Sequence, residues 1–226
     1  RQYSRDHYLE LLGSTGIEAE AISTPDGIRL QQSVSITQLP GYVEGWFSVQ
    51  DANAQLAASL LGNLDGKVVL DACAAPGGKT AHVLEWFQPE SLTALDADPI
   101  RLKRVEDTVQ RLQLTELCPI TYKATNAATW PAPQPFDAIL LDAPCTATGV
   151  LRRHPDIRLL RQPNDVIQTI ALQKRLLDHL WLMLKPGGVL VYVTCSLLKA
   201  ENEAHKHRRR FFPSKKPIKA FAVSAE

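Results

Sequence analysis

The chain has 226 residues, of which 45% are hydrophobic and 22% are charged, and its formal net charge is +1. This composition is ordinary for a globular protein, and it excludes a strong overall positive field that would attract nucleic acid. No apolar run approaches the roughly 18 residues that a membrane-spanning helix needs, and no signal peptide is visible, so we expect no contact with a membrane.

Residues 1–48 are predicted to form a small α+β subdomain. They begin with a helical pattern that closes at Gly13, and residues 25–48 contain turns between short alternating segments. A helix is then expected over residues 52–61, with Asp51 as its N-cap.

Residues 49–203 are predicted to form the main domain, because strand and helix patterns alternate along them. Strands are expected over residues 67–72, 91–96, 120–123, 136–142 and 189–194. Helices are expected over residues 80–87, 99–112 and 165–184, and a long loop over residues 143–163. This alternation predicts an α/β fold with a Rossmann-like, doubly wound, mostly parallel sheet.

Residues 204–226 form a basic tail that fits neither a helical nor a strand period. The tail is either disordered or an atypical extension, and we assign no element to it. The basic run over residues 199–219 is open to two interpretations, a solvated tail and an RNA contact.

The four cysteines are Cys73, Cys118, Cys145 and Cys195, and no two of them form a C-x-x-C pair. This spacing matches no zinc or thioredoxin motif, so we predict no metal site. It also indicates no disulfide framework, which is typical of a reducing, cytoplasmic compartment. Cys73 and Cys118 are interpreted as structural, Cys73 with its backbone near the ligand.

Residues 67–80 are the stretch around which the sheet is organised. They contain a short buried strand, then small residues with Gly77 and Gly78, then Lys79 and Thr80 at the start of a helix. A glycine turn lets a ligand lie close to the backbone, and the helix N-terminus offers free N–H groups. A nucleotide-like cofactor binds at such a place in an open α/β sheet.

Two other interpretations of this turn remain open. The spacing nearly matches the phosphate loop G-x-x-x-x-G-K-[ST], with Gly78, Lys79 and Thr80 in place. Cys73 stands where that loop needs its first glycine, which argues against a nucleoside triphosphatase with Asp142 on magnesium. The second is a plain strand-to-helix turn, which is common in α/β proteins.

Asp96 ends the second predicted strand, about 20 residues after the turn, where an acidic residue binds ribose hydroxyls in dinucleotide folds. The alternative is an acidic cap for the helix that begins at Pro99. The motif G-x-G-x-x-G is absent, which favours an adenosine cofactor other than a nicotinamide dinucleotide.

Three chemically useful side chains follow the fourth and fifth predicted strands. Asp142 and Cys145 follow one of them, and Cys195 follows the other. Free cysteines are often simply buried, but both of these lie just past strand ends in small polar loops. Because the carboxyl ends of parallel strands meet at one edge, we expect the three side chains to share a crevice.

Four blocks of sequence now allow a comparison with a known family. They are D-A-C-A-A-P-G-G-K-T at 71–80, L-D-A-P-C-T-A-T-G at 141–149, R-R-H-P-D at 152–156, and T-C-S at 194–196 with E-N-E at 201–203. Together they resemble, in the family's order, the signature blocks of RNA (cytosine-C5) methyltransferases of the Sun/Fmu type. The resemblance runs from about Tyr8 to Glu203, and it implies S-adenosylmethionine as cofactor and RNA, ribosomal in kind, as substrate.

The resemblance also implies catalytic roles. Cys195 matches the family's nucleophile, which adds to cytosine C6, and Cys145 matches the second cysteine, which serves proton removal at C5 and release of the product. Asp142 matches the carboxylate at the cytosine N3 edge and is also among the family's cofactor-site residues. Lys79 is expected to lower the pKa of the thiolate by its nearby charge.

The implied cofactor site includes Asp96 at the ribose and Asn126 near the adenine. The family usually has an acidic residue at the second position, and Asn126 keeps only an amide oxygen as acceptor. The implied residues around the methionine moiety are Cys73, Ala74, Ala75, Pro76, Gly77, Gly78 and Lys79.

Basic residues of the loop after the fourth strand are expected to contact RNA phosphates. They are Arg152, Arg153, His154 and Arg158, and the alternative is a solvated loop. Members of the family commonly carry an N-terminal RNA-binding helical domain, and we expect one in the full-length protein, ahead of Arg1.

Because the chain begins with Arg1 rather than Met, we interpret it as part of a longer protein. We also expect the protein to be a monomer. The family also continues past Glu203 with further strands, which the tail does not resemble. A non-catalytic RNA-binding fragment is therefore a further alternative.

Overall fold

The computed structural model describes residues 2–206 and 219–222. The N-terminal part holds helix α1 (Arg5–Ser14) and an antiparallel hairpin of β1 (Ala19–Ala21) and β2 (Ile28–Leu30). Its content of helix and hairpin agrees with the predicted α+β character.

The N-terminal part has a small apolar cluster of its own. Tyr8, Leu12 and Leu39 are buried in this cluster. The Tyr8 hydroxyl donates a hydrogen bond to the Pro40 carbonyl oxygen over 2.9 Å, which fixes α1 against the segment after the 3-10 turn Ile36–Gln38. The subdomain boundary at residue 48 stays a prediction.

Six strands form the central sheet. They are β3 (Val68–Asp71), β4 (Ser91–Asp96), β5 (Ile120–Ala124), β6 (Phe136–Asp142), β7 (Leu184–Thr194) and β8 (Lys219–Ala222). Their order is β5-β4-β3-β6-β7-β8, and every neighbouring pair is parallel. All five predicted strands are present, and the predicted Rossmann-like, mostly parallel sheet is confirmed.

The direction of strand addition reverses between β3 and β6. The chain adds β4 and β5 on one side of β3, and then adds β6 and β7 on the other. Open α/β sheets bind ligands outside the carboxyl ends of their strands at such a switch point. The two strands beside this switch point end at Asp71 and Asp142.

Helices flank the sheet along the rest of the described chain. They are α2 (Leu56–Leu60), α3 (Gly78–Trp86), α4 (Pro99–Arg111), α5 (Ile157–Leu160), α6 (Pro163–Leu182) and α7 (Glu203–Lys206). None of them is long and apolar enough to cross a membrane.

Helix α2 is shorter than the predicted helix over residues 52–61, and residues 52–55 form mainly turns. The prediction that Asp51 is its N-cap is wrong, because the helix begins only at Leu56 and Gln55 holds the N-cap position, while the Asp51 carboxylate pairs with Arg153. Gln55 precedes the helix and accepts a hydrogen bond from the Thr24 hydroxyl over 2.7 Å, which ties α2 to the N-terminal part.

The predicted loop over residues 143–163 is partly helical, since it contains the 3-10 turn Thr148–Val150 and α5. Helix α6 begins at Pro163, within that predicted loop. Its start is fixed by a capping box in which Gln162 and Asp165 exchange hydrogen bonds with each other's backbone.

Strand β7 begins earlier than the predicted residue 189. Leu184 already pairs with Phe136, and Lys185 Nζ lies 2.7 Å from Asp137 Oδ2 on β6. With these contacts to β6, strand β7 extends across Pro186 and the two glycines that follow it. In the sequence alone, these three residues predict a turn.

Strand β8 is not predicted from the sequence. It lies within the tail and pairs in parallel with residues 191–194 of β7. An exposed sheet edge accepts a strand through backbone hydrogen bonds, so a short segment can join it without an alternating pattern. The rest of the tail, residues 207–218 and 223–226, lies outside the described residues.

Apolar side chains are buried on both faces of the sheet. Val69 and Ala138 lie in a cluster with side chains of α3 and α4, and Cys118 is buried in the same cluster. Leu70 and Ile139 lie in a second cluster with side chains of α6. The sheet is thus a rigid layer that fixes where its carboxyl ends, and the residues after them, lie.

Candidate active site

A cavity of about 270 Å³ lies at the carboxyl ends of β3 and β6, where the direction of strand addition reverses. Seven of its lining residues are among the predicted site residues: Cys73, Ala74, Ala75, Pro76, Gly78, Lys79 and Asp142. Arg153, which was predicted to contact RNA, also lines it. The remaining lining residues were not predicted: Val49, Gln50, Asp51, Ala54 and Asp71.

The two glycines of the turn have different roles. Gly77 has φ +106°, and a Cβ added there would lie 2.9 Å from the Val105 Cα of α4. Gly77 therefore serves the turn and the close approach of α4. A Cβ added at Gly78 would meet nothing within 4 Å, so the space left for a ligand is at Gly78.

Thr80 is not placed as the threonine of a phosphate loop would be. It is fully buried, and its hydroxyl donates to Asp71 Oδ2 over 2.6 Å. A phosphate-loop threonine places its hydroxyl on magnesium instead. Together with Cys73 in the position of the first glycine, this contact argues against the nucleoside triphosphatase.

Two buried polar atoms of the cavity lining have no hydrogen-bond partner among the described residues. They are the acceptor Asp71 Oδ1 and the donor Gln50 Nε2. Burial raises the pKa of Asp71 to about 7, so its carboxyl group is partly protonated near neutral pH. Unpaired buried polar groups are unfavourable, so the cavity suits a ligand that offers both a donor and an acceptor.

The two predicted catalytic thiols lie side by side. The Sγ atoms of Cys145 and Cys195 are 3.3 Å apart, and both cysteines are half-buried and free of disulfides. The hydrogen bond from the Cys145 thiol lowers the pKa of Cys195, although burial opposes this effect. The same hydrogen bond, together with burial, raises the pKa of Cys145. Cys195 is thus favoured as thiolate and Cys145 as thiol.

Lys79 and Asp142 form an ion pair beside these thiols, with Nζ 2.6 Å from Oδ2. Asp142 raises the pKa of Cys195 and Lys79 lowers it. The effect expected of Lys79 therefore has the predicted direction, but the adjacent carboxylate opposes it. The main cause of the lowered pKa is the Cys145 thiol.

Asp96 is buried at the end of β4. Its carboxylate accepts hydrogen bonds from the backbone N–H groups of Ala75, over 3.3 Å, and Asp98, over 3.1 Å. The cap of α4 is Asp98, whose Oδ1 accepts from Ile100 N over 2.8 Å. The alternative role of Asp96 as that cap is therefore wrong, and its role at a ribose stays a prediction.

Asn126 is exposed, and its Oδ1 accepts a hydrogen bond from the backbone N–H of Ala128 over 2.9 Å. The amide oxygen predicted to face an adenine is thus used in a local turn. The lining described for the cavity does not include Asn126, Asp96 or Gly77.

The basic loop residues divide into two groups. Arg152, His154 and Arg158 are exposed. Arg153 is exposed as well, but its guanidinium pairs with Asp51 at the cavity. Arg161 was not predicted from the sequence, and its Nε donates to the Thr146 carbonyl oxygen over 3.1 Å, next to Cys145.

Residues 58–212 match a family described as 16S rRNA methyltransferase RsmB/F. A relative from Pasteurella multocida named ribosomal RNA small subunit methyltransferase B is 50% identical over 204 residues, which are 88% of this chain and 46% of the relative. A relative of the same name from Pseudomonas syringae is 52% identical over 206 residues, which are 89% of this chain and 45% of the relative. The chain thus spans about half the length of the curated relatives it matches.

Two solved structures from Pyrococcus horikoshii are similar to this chain. A methyltransferase homolog protein superposes with a TM-score of 0.77 at 30% identity, covering 90% of this chain and 64% of the other. NSun6 with SFG superposes with a TM-score of 0.69 at 30% identity, covering 79% of this chain and 47% of the other.

Proposed function

Because the chain belongs to the 16S rRNA methyltransferase RsmB/F family, we propose that it transfers a methyl group from S-adenosylmethionine to C5 of a cytosine in ribosomal RNA. The observation that carries this proposal is the pair of thiols, whose Sγ atoms lie 3.3 Å apart at the ends of β6 and β7. Two adjacent cysteines suit covalent catalysis on a pyrimidine ring, in which one sulfur adds to the ring and the other assists its release.

The cavity beside the glycine turn suits the cofactor. Gly78 leaves open space there, and Gln50 Nε2 and Asp71 Oδ1 offer a donor and an acceptor to the carboxylate and ammonium groups of the methionine moiety. S-adenosylmethionine supplies an electrophilic methyl group when bound. In this proposal the turn residues 73–79 surround the methionine moiety, with Gly77 shaping the turn and the other residues facing the ligand, while Asp96 binds the ribose and Asn126 lies at the adenine.

Cys195 activates the base. Cytosine C5 is a poor nucleophile, but a bond from the Cys195 thiolate to C6 moves the electron pair of the C5–C6 double bond onto C5 and, by conjugation through C4, onto N3. C5 then becomes nucleophilic, so one difficult step is divided into two easier ones. The lowered pKa of Cys195 increases the fraction of thiolate that is present near neutral pH.

Asp142 stabilises the activated ring. A carboxylate at the N3 edge favours the protonated form of N3, which takes up the electron density that the new sulfur bond pushes into the ring. Lys79 holds this carboxylate through the 2.6 Å contact and offsets its charge near the thiolate.

Cys145 assists the end of the reaction. Methylated C5 must lose its proton, whose electron pair re-forms the C5–C6 double bond, while Cys195 leaves with the electrons of the C6–S bond. The Cys145 side chain faces Cys195 at 3.3 Å. While Cys195 is bonded to C6, Cys145 gives its proton to solvent and then takes the C5 proton as a thiolate, and the thiol so formed stabilises the departing Cys195 thiolate.

The target cytosine must leave its stack to reach these thiols. Arg152, His154 and Arg158 are exposed on the loop after β6, and we assign them to RNA phosphates. In this proposal residues 49–203 form the catalytic domain and the chain acts as a monomer in the cytoplasm.

The test is mass spectrometry of 16S ribosomal RNA from cells that lack the gene. We expect one 5-methylcytidine to disappear, to return with the wild-type gene, and to stay absent with Cys195→Ala. Purified Cys195→Ala should still bind S-adenosylmethionine in calorimetry. An unchanged set of 5-methylcytidines in the deletion strain would falsify the proposed function.

A further inference from the structure

Glu201 joins the two loops that carry the cysteines. Its side chain is fully buried, and its carboxylate accepts hydrogen bonds from four donors. Thr146 donates from its backbone N–H over 2.9 Å and also from its hydroxyl. Ser196 donates from its hydroxyl, and Gln173 of α6 donates from Nε2 over 3.1 Å.

Two of the residues that donate to Glu201 lie next to the reactive cysteines in the sequence. Thr146 directly follows Cys145, and Ser196 directly follows Cys195, so one carboxylate bridges the two loops. A carboxylate suits this place because it has about four acceptor positions and carries no proton that would repel a donor.

Other hydrogen bonds strengthen the same junction. The Gly149 N–H donates to the Cys195 carbonyl oxygen over 2.7 Å. The Thr148 hydroxyl lies 3.2 Å from the Ser196 hydroxyl and accepts from Leu197 N over 2.9 Å. The Glu201 bridge is therefore the buried centre of a network that fixes one loop against the other.

We propose that Glu201 is a positioning residue, which holds the Cys145 loop against the Cys195 loop at the separation that lets the two thiols interact. It touches neither sulfur and acts through Thr146 and Ser196. The catalytic meaning of this role rests on the proposed function, whereas the geometric role is independent of it.

Three variants separate this role from a general loss of stability. Glu201→Ala removes the bridge. Glu201→Gln retains it, because the amide oxygen accepts from Thr146 N and Gln173 Nε2 while the amide nitrogen donates to the two hydroxyl oxygens. Tyr192→Phe is the matched control, since it removes the 2.7 Å hydrogen bond from the Tyr192 hydroxyl to the backbone oxygen of Glu201 and leaves the bridge intact.

The first measurement is the alkylation of Cys195 by iodoacetamide as a function of pH, read by peptide mass spectrometry. The groups that act on Cys195 are Cys145, Asp142 and Lys79. We expect the midpoint for Glu201→Ala to rise by about one pH unit, because the hydrogen bond from Cys145 is lost or lengthened. Glu201→Gln and Tyr192→Phe should keep the wild-type midpoint.

The second measurement is methyl transfer. A shift of about 1 Å in a catalytic group lowers the rate about 100-fold, and we expect a loss of this size for Glu201→Ala, rescued by Glu201→Gln, with unchanged cofactor binding. A folded Glu201→Ala protein with the wild-type alkylation midpoint would overturn the inference. If Glu201→Ala does not fold, Ser196→Ala removes only one arm of the bridge, and an unchanged midpoint for that variant overturns the inference equally.

The two proposals fail separately. Alkylation needs neither RNA nor S-adenosylmethionine, so a raised midpoint supports the positioning role even if the wild-type gene restores no methyl group. Conversely, if the wild type methylates RNA but Glu201→Ala and Ser196→Ala both keep the wild-type alkylation midpoint, the proposed function stands and the positioning role of Glu201 is rejected.

Discussion

At the scale of single residues, the groups around Cys195 act on its charge in different ways. The Cys145 thiol donates a hydrogen bond to the sulfur and thereby lowers the pKa of Cys195. Asp142 and Lys79 act with opposite signs, and their charges lie within 2.6 Å of each other, so they largely cancel at the sulfur. The thiolate therefore depends on the neighbouring thiol.

Cys145→Ala tests this dependence and the role of Cys145 in release. We expect the pKa of Cys195 to rise toward that of an ordinary thiol, and we expect RNA to remain attached to Cys195 after mixing with cofactor. The measurements are the pH profile of alkylation and a denaturing gel with labelled RNA. Cys118→Ala, in the apolar core, is the control. A gel without a shifted band removes Cys145 from the release step.

Asp71 predicts a pH dependence of stability. Burial raises its pKa from 3.8 to about 7 in the folded chain, so the folded state binds the proton more tightly than the unfolded state. Its contribution to the free energy of unfolding is fully present below pH 3.8 and is lost as the pH rises through about 7. The loss is on the order of 4 kcal/mol.

The variant that checks this is Asp71→Asn, which cannot ionise. We expect it to gain stability relative to the wild type between about pH 4 and about pH 7, as measured by urea unfolding at each pH, because the wild type loses stability over this range. Thr80→Val is the control, since it removes the hydrogen bond to Asp71 and leaves the carboxyl group. A constant difference between Asp71→Asn and the wild type would show that Asp71 is already ionised.

Some residues of the site could be predicted from the sequence and others could not. Asp142, Cys145 and Cys195 follow strands, and the geometry of a parallel sheet brings strand ends together, so their convergence was predictable. Gln50 and Asp71 were missed because their signal is an unpaired polar atom in a buried place, which no local pattern reveals. Glu201 was noticed only as part of a family motif, since its partners come from distant segments.

At the scale of elements, the strand-to-helix turn combines two glycines with separate tasks. Gly77 has φ +106°, and the backbone of α4 lies where its side chain would be. Gly78 is the first residue of α3, and the space where its side chain would be is open. The first glycine serves the fold and the second serves the ligand.

Alanine at each glycine should separate these tasks. Gly77→Ala should destabilise the fold by about 1–3 kcal/mol, because the left-handed backbone and the contact with Val105 both oppose a side chain. Gly78→Ala should leave unfolding almost unchanged but weaken the binding of S-adenosylmethionine, because its methyl group extends into the open space. Urea unfolding and titration calorimetry measure the two effects. Equal effects of both variants on unfolding would contradict the assignment of Gly77 to the fold and Gly78 to the ligand.

Elements with strong local signals were predicted well, and those that depend on pairing were not. Helix α4 combines a cap at Asp98, a proline in its first turn and an apolar stripe, so its bounds follow from sequence. The early start of β7 and the presence of β8 depend on partners across the sheet. Such pairings carry no signal in the segment itself.

At the scale of the whole molecule, the segment before α2 contributes to the cavity. Val49, Gln50 and Asp51 line the cavity, and Asp51 pairs with Arg153 of the loop after β6. The proposed cofactor site is therefore lined by two segments that are about 100 residues apart and are joined by an ion pair. The ion pair that joins them is partly exposed, so its own contribution to stability is below about 1 kcal/mol.

Asp51→Asn tests whether this ion pair withholds Arg153 from RNA. We expect the free guanidinium to bind a further phosphate, so the slope of log affinity against log salt should steepen by about 0.7 for single-stranded RNA. Fluorescence anisotropy over a series of salt concentrations measures this slope, and Asp51→Asn with Arg153→Ala is the control that should reverse it. An unchanged slope means that Arg153 stays out of reach of the phosphates.

The pairing of β6 with β7, in which Asp142 faces Val193, has an evolutionary consequence. The two sulfurs follow the ends of these neighbouring strands, although 50 positions of sequence separate them. Between the strands, Thr146, Thr148 and Gln173 belong to the network around Glu201 and must stay in place, whereas exposed positions of α5 and α6 such as Leu159 and Ile167 can change without moving either sulfur. Relatives can therefore vary this exposed surface to suit different RNA shapes while keeping the same reaction chemistry.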